Sequence, residues 1–164
     1  MEKSTLLENK WSLWSHYPQD TDWSLKSYNK ICELSSVEAT IAITESIPED
    51  VIKNSMLFLM KSGVFPTWED VKNRNGGCFS YKVNNKVVVD VWKELTYVLV
   101  GKTISEDTKF LNDISGITIS PKKNFCIIKI WMENCNNQNP RVVTSDIKNL
   151  SSSGCIFKKH VPTY

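Results

Sequence analysis

A length of 164 residues, 41% of them hydrophobic, suits one domain around one sizeable core and excludes a multidomain assembly within this chain. A formal net charge of +2 excludes nucleic-acid binding by bulk positive charge, so any anionic ligand needs a local basic cluster. No apolar run is long enough to span a membrane, and the start MEKSTLLENK lacks the apolar stretch of a signal peptide, which points to a cytosolic or nuclear protein with reduced thiols.

Residues 1–9 are polar and read as a flexible N-terminal arm, with a single domain over 10–164. A strand is expected at 10–16, Trp11 and Leu13 sharing one face and Trp14 taking the other. A loop follows at Pro18–Asp22, then Trp23, then a second strand around 26–33. Ser35 is the candidate N-cap of a helix, with Glu38 at the capping-box spacing. The inward stripe of that helix is Ala39, Ala42, Ile43 and Ile47; Val37 and Ile41 lie on a different face, and Pro48 ends it. Met56–Met60 reads as a buried strand, and Lys61-Ser62-Gly63 opens a long loop. Cys78–Val83 alternates as a strand with Phe79, Tyr81 and Val83 on one side. Val88, Trp92, Leu95 and Leu99 recur at helical spacing over 87–101, with Gly101 as the stop. Strands are expected at Ile114–Ser120 and Phe125–Met132. Asn139-Pro140 looks like the start of a helix running to about 149, Ser151–Gly154 like a flexible link, and Cys155–Val161 like a last strand.

Chemistry concentrates in the long loop, at Pro66-Thr67-Trp68-Glu69-Asp70, which Gly76-Gly77 closes. On a strand Trp68 and Glu69 would face opposite ways, but in a loop they can converge on one ligand. An indole face attracts a cationic ring, and a carboxylate accepts two parallel N–H groups. A methylated guanine has both properties. The five cysteines, Cys32, Cys78, Cys126, Cys135 and Cys155, are odd in number and form no CxxC pair, and His16 and His160 are far apart in sequence. Neither a disulfide framework nor a metal centre is expected, and no cofactor. Six tryptophans are the compositional surplus; Trp11, Trp14 and Trp92 read as packing residues.

Five stretches, in this order and spacing, carry a resemblance: Lys-Trp-Ser-Leu-Trp at 10–14, Phe-Pro-Thr-Trp-Glu-Asp at 65–70, Lys-Asn-Arg-Asn-Gly-Gly at 72–77, Val-Trp-Lys-Glu-Leu at 91–95, and Ile-Lys-Ile-Trp at 128–131 followed by Glu133 and Cys135. The chain resembles the eukaryotic translation initiation factor 4E family, the messenger-RNA cap-binding proteins. That resemblance implies an α+β fold: a curved antiparallel β-sheet with about three helices on its convex face and the ligand slot on its concave face. It implies that Trp23 and Trp68 sandwich the 7-methylguanine, that Glu69 pairs with its N1–H and exocyclic amine, and that Trp131 meets the N7 methyl group. Lys122 and Lys123 would meet the cap phosphates. On the convex helices, Val37, Ile41, Lys93 and Tyr97 match the positions where an initiation scaffold or repressor protein lays a helix.

The departures are specific. Cys78 stands where an arginine usually follows Gly-Gly, and a second basic phosphate position falls on Ile127. Ile41 replaces an indole, and Lys93 puts an ammonium where a leucine would be buried, so a partner helix with an acidic residue facing Lys93 is expected to bind better than a standard one. The expected function is recruitment of capped messenger RNA to translation initiation by a monomeric protein without enzymatic activity, in the cytoplasm or, for a virus-encoded chain, the host cytoplasm. A variant that sequesters caps and represses translation is the alternative. A cap hydrolase is the competing class; it calls for clustered metal-binding carboxylates, and no Arg-Glu-x-x-Glu-Glu run occurs.

Overall fold

Alternation decides which face each strand buries. The computed structural model describes residues 4–162. In β1 (Leu6–His16), Trp11 and Leu13 enter the main core, while Trp14 joins a smaller aromatic cluster on the opposite face, as the alternation predicts. The same division runs through β3 (Met56–Lys61), where Leu57 and Leu59 face the main core and Phe58 and Met60 the aromatic side. It recurs in β4 (Gly77–Asn84), where Phe79, Tyr81 and Val83 oppose Cys78, and in β6 (Phe125–Met132), where Ile128 and Ile130 oppose Trp131. With β2 (Asn29–Ser36), β5 (Ile114–Pro121) and β7 (Ile156–Lys159), these strands make one seven-stranded antiparallel sheet in the order β2-β1-β3-β5-β6-β4-β7.

The sheet is curved, and helices cover the face that carries the main core. The chief cover is α3 (Val88–Val100), whose Val88, Trp92, Leu95 and Leu99 are buried as their spacing predicts, with Gly101 at the C-cap. Trp92 is 1% exposed, so its truncation to Ala is expected to cost about 3–5 kcal/mol. Beside it lie α1 (Val37–Ser46) and two short helices that carry too few residues to show a period: α2 (Glu49–Asn54), which anchors Ile52, and α4 (Thr108–Asp113), which anchors Phe110. Sequence reading missed both. The opposite, concave face is left to the aromatic cluster.

Several expectations shift. Of the arm expected over 1–9, residues 1–3 lie outside the described residues, and from Leu6 the chain is already β1, with Leu6 opposite Ser36. The second strand starts at Asn29 after a 3-10 turn at Leu25–Ser27. Ser36, not Ser35, caps α1: its side-chain oxygen accepts the Ala39 N–H at 3.1 Å. Glu38 does not close a capping box; its carboxylate accepts the Thr5 N–H instead, at 2.9 Å. Ala42 is exposed, and Thr40 and Thr44 are buried in its place, Thr40 satisfying its hydroxyl on the Ser36 carbonyl at 2.8 Å. The helix expected over 139–149 is only a 3-10 turn at Pro140–Val142, although Asn139 does accept the Arg141 N–H. Val143, Ile147 and Leu150 are separate anchors into the core whose spacing imitates a helical stripe, and Thr144 N–H leaves to bond the Ile104 carbonyl at 2.7 Å. Ser152–Gly154 is a 3-10 turn rather than a link.

Candidate functional site

Two side chains build the loop between β3 and β4. Asp70 accepts the Phe65 N–H and the Lys72 N–H on its two carboxylate oxygens, each at 2.9 Å. Asn73, fully buried, donates its amide to the Phe65 and Thr67 carbonyls, also at 2.9 Å. Between these ties Trp68 and Glu69 are fixed at the loop's apex, half-buried. The carboxylate of Asp70 is therefore structural, which leaves Glu69 as the motif's candidate acid for a ligand. Gly76 and Gly77 let neighbouring strands close on this loop. A Cβ at Gly76 would strike the Met132 carbonyl, and one at Gly77 the Phe157 ring and the Lys158 carbonyl.

Each candidate plate rests on a histidine, a feature absent from the sequence reading. Trp23, 51% exposed, lies parallel to the buried His16 with ring centroids 4.0 Å apart and planes 2° apart. His16 is locked in turn, its Nε2 2.8 Å from the Asp22 carbonyl and 3.0 Å from the Ser27 hydroxyl, its Nδ1 2.9 Å from the Tyr17 carbonyl. Trp68 stacks on His160 at 5.4 Å and 14°. His160 Nδ1 lies 2.6 Å from the Asn73 carbonyl and Nε2 2.8 Å from Cys78 Sγ. Burial holds His160 below the ordinary imidazole range, with opposing help from its bond to Asn73 and a further lowering from the Lys129 charge. Burial also pushes the Cys78 thiol up to about 12. His160 is thus a neutral ring that donates from Nδ1 to Asn73 and accepts the Cys78 S–H at Nε2.

Trp131 is 5% exposed and donates its Nε1–H to Thr118 Oγ1 at 3.1 Å, which fixes the ring on the concave face. It packs against His160 at 5.1 Å and shares the concave cluster with Phe58, Met60, Val64 and Cys78; Trp14, Tyr28, Met56 and Trp68 pack around them. Tyr28 links the two sides. Its ring is 6.4 Å from Trp23, and burial together with the Glu69 charge pushes its phenol up to about 12. The structure therefore gathers Trp23, Trp68, Glu69 and Trp131 around one concave patch of stacked rings with a carboxylate at its rim. Such a patch suits a flat, cationic, N–H-bearing ring.

It does not gather Lys122 and Lys123 there. Both are exposed at the β5–β6 turn, where Lys122 N–H closes the hairpin on the Phe125 carbonyl at 2.8 Å. Six residues of β6 separate Phe125 from Trp131, about 20 Å of strand. A groove of about 1170 Å³ lies elsewhere again, between the loop after α3 and residues 140–152. Its lining mixes Lys102, Arg141 and Lys148 with Glu106, Asp107 and Asp146 and offers no stacked rings, so the concave patch is the better site.

On the convex side Val37 and Ile41 are 37% and 48% exposed on α1. Lys93 already has an acidic partner within the chain. Glu45 of α1 accepts Lys93 Nζ at 3.0 Å on one oxygen and the Tyr97 hydroxyl at 2.6 Å on the other. The period of α3 put Lys93 and Tyr97 on its outer face, but no pattern within α3 could reveal a partner on α1. The Tyr97 phenol is pushed up to about 12 by burial and by this bond.

A family model described as eukaryotic initiation factor 4E matches residues 6–160. The Candida albicans eukaryotic translation initiation factor 4E is 28% identical over 155 residues, covering 87% of this chain and 71% of that protein. The Schizosaccharomyces pombe factor 4E-2 is 27% identical, over 83% of this chain and 57% of that protein. A factor 4E homolog of Acanthamoeba polyphaga mimivirus is also 27% identical, over 70% of this chain and 50% of its own length. The chain thus spans between half and about seven-tenths of these relatives. Among solved structures, schistosome eIF4E complexed with m7GpppG and 4E-BP superposes with a TM-score of 0.74 at 24% identity, covering 83% of this chain and 76% of that one. Ascaris suum eIF4E-3 with an m7G cap does so with 0.71 at 20% identity, covering 82% and 77%. Fold and family match agree along nearly the whole described chain: it belongs to the eukaryotic initiation factor 4E family.

Proposed function

We propose that this chain binds the 7-methylguanosine cap of messenger RNA and brings it to the translation initiation machinery, as a noncatalytic protein of the cytoplasm. The observation that carries the reading is the concave patch itself: Trp23 and Trp68, each backed by a histidine ring, with Glu69 beside them and Trp131 beneath. Relatives of the same fold have been solved with m7G caps. Each indole would contribute roughly 1–3 kcal/mol by stacking on the base. The methylated ring is cationic, which strengthens its attraction to both indole faces. Glu69 would accept N1–H and the exocyclic amine together, each charge-assisted bond worth about 1.5–3 kcal/mol, and adenine lacks that donor pair. Lys122 and Lys123 would draw on the distal phosphates. Val37, Ile41, Lys93 and Tyr97 form the partner surface for a scaffold or repressor helix.

The Glu45 clasp favours a second outcome on the partner side. With Lys93 and Tyr97 already tied to α1, a standard scaffold helix has less apolar surface to cover, and the protein would hold caps without recruiting ribosomes. Retention on immobilised 7-methyl-GTP with elution by free cap analogue tests cap binding; failure to be retained overturns it. Pull-down of a Tyr-x-x-x-x-Leu peptide from the same resin separates recruitment from sequestration.

A further inference from the structure

Pairing registers on the concave face put side chains into cross-strand rows. One row runs Gly116, Trp131, Cys78, Lys158, across β5, β6, β4 and β7. The next runs Thr118, Lys129, Ser80, Ile156. A third holds Ser120, Ile127 and Lys82. No carboxylate occurs in these rows. Lys129 and Lys158 enter no ion pair among the described residues, whereas Lys82 is spent over the Phe125 ring at 4.3 Å. Lys129 precedes Trp131 by two residues on the same face of the same strand, about 6–7 Å away along it, against about 20 Å for the turn that carries Lys122 and Lys123. Lys158 lies directly across from Cys78, the neighbour of Trp131. The two lysines stand on either side of β4, two strand spacings or about 10 Å apart across the sheet, with Cys78 and Ser80 between them. Two flexible ammonium groups at that separation can close on an anion lying over small side chains.

We propose that Lys129 and Lys158 form the cation pair that grips the phosphate bridge next to the base, with Lys122 and Lys123 reaching only its far end. The inference rests on the cap reading above and deepens it. Between the two ammonium groups the half-buried Ser80 leaves the floor open, while Cys78 is buried with its Sγ on the neutral His160, a pair that adds no competing charge. A base seated against Trp68 and Trp131 would place its first phosphates beside β4, which Lys129 and Lys158 flank.

Fluorescence titrations of the full chain with 7-methylguanosine, its monophosphate and its triphosphate, at low salt, test this. The expected result is that Lys129→Ala and Lys158→Ala each lower triphosphate affinity about tenfold while nucleoside affinity is unchanged, which shows the ring stack intact. Lys129→Arg keeps the triphosphate advantage, and Lys122→Ala/Lys123→Ala loses less than either strand variant. If Lys129→Ala does not fold, Lys129→Gln and the Lys158 variants carry the comparison. An unchanged triphosphate-to-nucleoside ratio in Lys129→Ala/Lys158→Ala, or a larger loss in the turn double variant, overturns the inference while leaving the cap reading standing. Wild-type protein that does not prefer methylated over unmethylated GTP overturns the cap reading and the inference with it.

Discussion

Trp23 and Trp68 share a local design: an indole held flat by an imidazole that is itself pinned to backbone carbonyls. A plate held in this way needs little reordering when a base stacks on it, which preserves affinity. Trp68→Ala and Trp23→Ala are each expected to abolish retention on cap resin, with the unfolding midpoint little changed because neither indole enters the main core. Retention at wild-type strength by either variant contradicts the sandwich. His160 gives a pH signature. Its folded-state pKa is depressed by burial, so fewer protons bind in the native state than in the unfolded chain. The stability it confers is complete above the unfolded imidazole value of about 6.5 and is lost as pH falls below that through the lower folded value. The neighbouring groups are Lys129 and Cys78, whose thiol burial pushes up to about 12, well above that window. Melting temperatures between pH 5 and 7.5 should therefore decline more steeply in the wild type than in His160→Gln; parallel profiles would show that His160 carries no such linkage. None of this could be read from sequence. His16 and His160 look like two scattered histidines until β1 and the residue after β7 bring them under the indoles.

Among the elements, those with long periods were legible and those held by single anchors were not. The alternation of β1 and β4 and the period of α3 named their buried faces correctly, while β3 and β6 were placed as strands without a face being assigned. The segment after Asn139 failed because Val143, Ile147 and Leu150 copy a helical spacing while Val142-Val143-Thr144 is a β-branched run that disfavours a helix. The cap of α1 slipped by one residue because Ser35 and Ser36 are chemically equal there, and only the strand register of β2 decides between them. Two element-level predictions follow from contacts between elements. Gly76→Ala is expected to destabilise the protein by about 1–3 kcal/mol, since β6 must move to clear a Cβ; an unchanged denaturant midpoint would show that the strand yields freely. Glu45→Ala, which opens the clasp between α1 and α3, is expected to return the Tyr97 phenol toward 10, readable in an ultraviolet pH titration. The same variant combined with Ile41→Trp and Lys93→Leu is expected to bind a Tyr-x-x-x-x-Leu peptide more tightly than the wild type. Tight binding by the unmodified protein in calorimetry would show that the clasp is no obstacle.

At the scale of the molecule, a curved sheet divides two tasks between its faces. The convex face buries the main core under helices and leaves Val37 and Ile41 exposed on α1; the concave face spends its aromatic side chains on a stack of rings rather than on a second core. The family and its fold were legible because the Trp-Glu-Asp loop, the Gly-Gly pair and the indole at the end of β6 keep their order and spacing. The clasp was not, since Glu45 and the Lys93 and Tyr97 it binds are far apart in sequence. No helix among the described residues is long and apolar enough to cross a membrane. The central claim is that the concave patch selects a methylated guanine through two indoles and one carboxylate. Its most direct test is tryptophan-quenching titration with 7-methyl-GTP and GTP, on the wild type and on Glu69→Gln. The account predicts strong quenching by 7-methyl-GTP, binding weaker by at least about tenfold for GTP, and loss of most affinity in Glu69→Gln. Equal affinities for the two nucleotides, or an unimpaired Glu69→Gln, would contradict it.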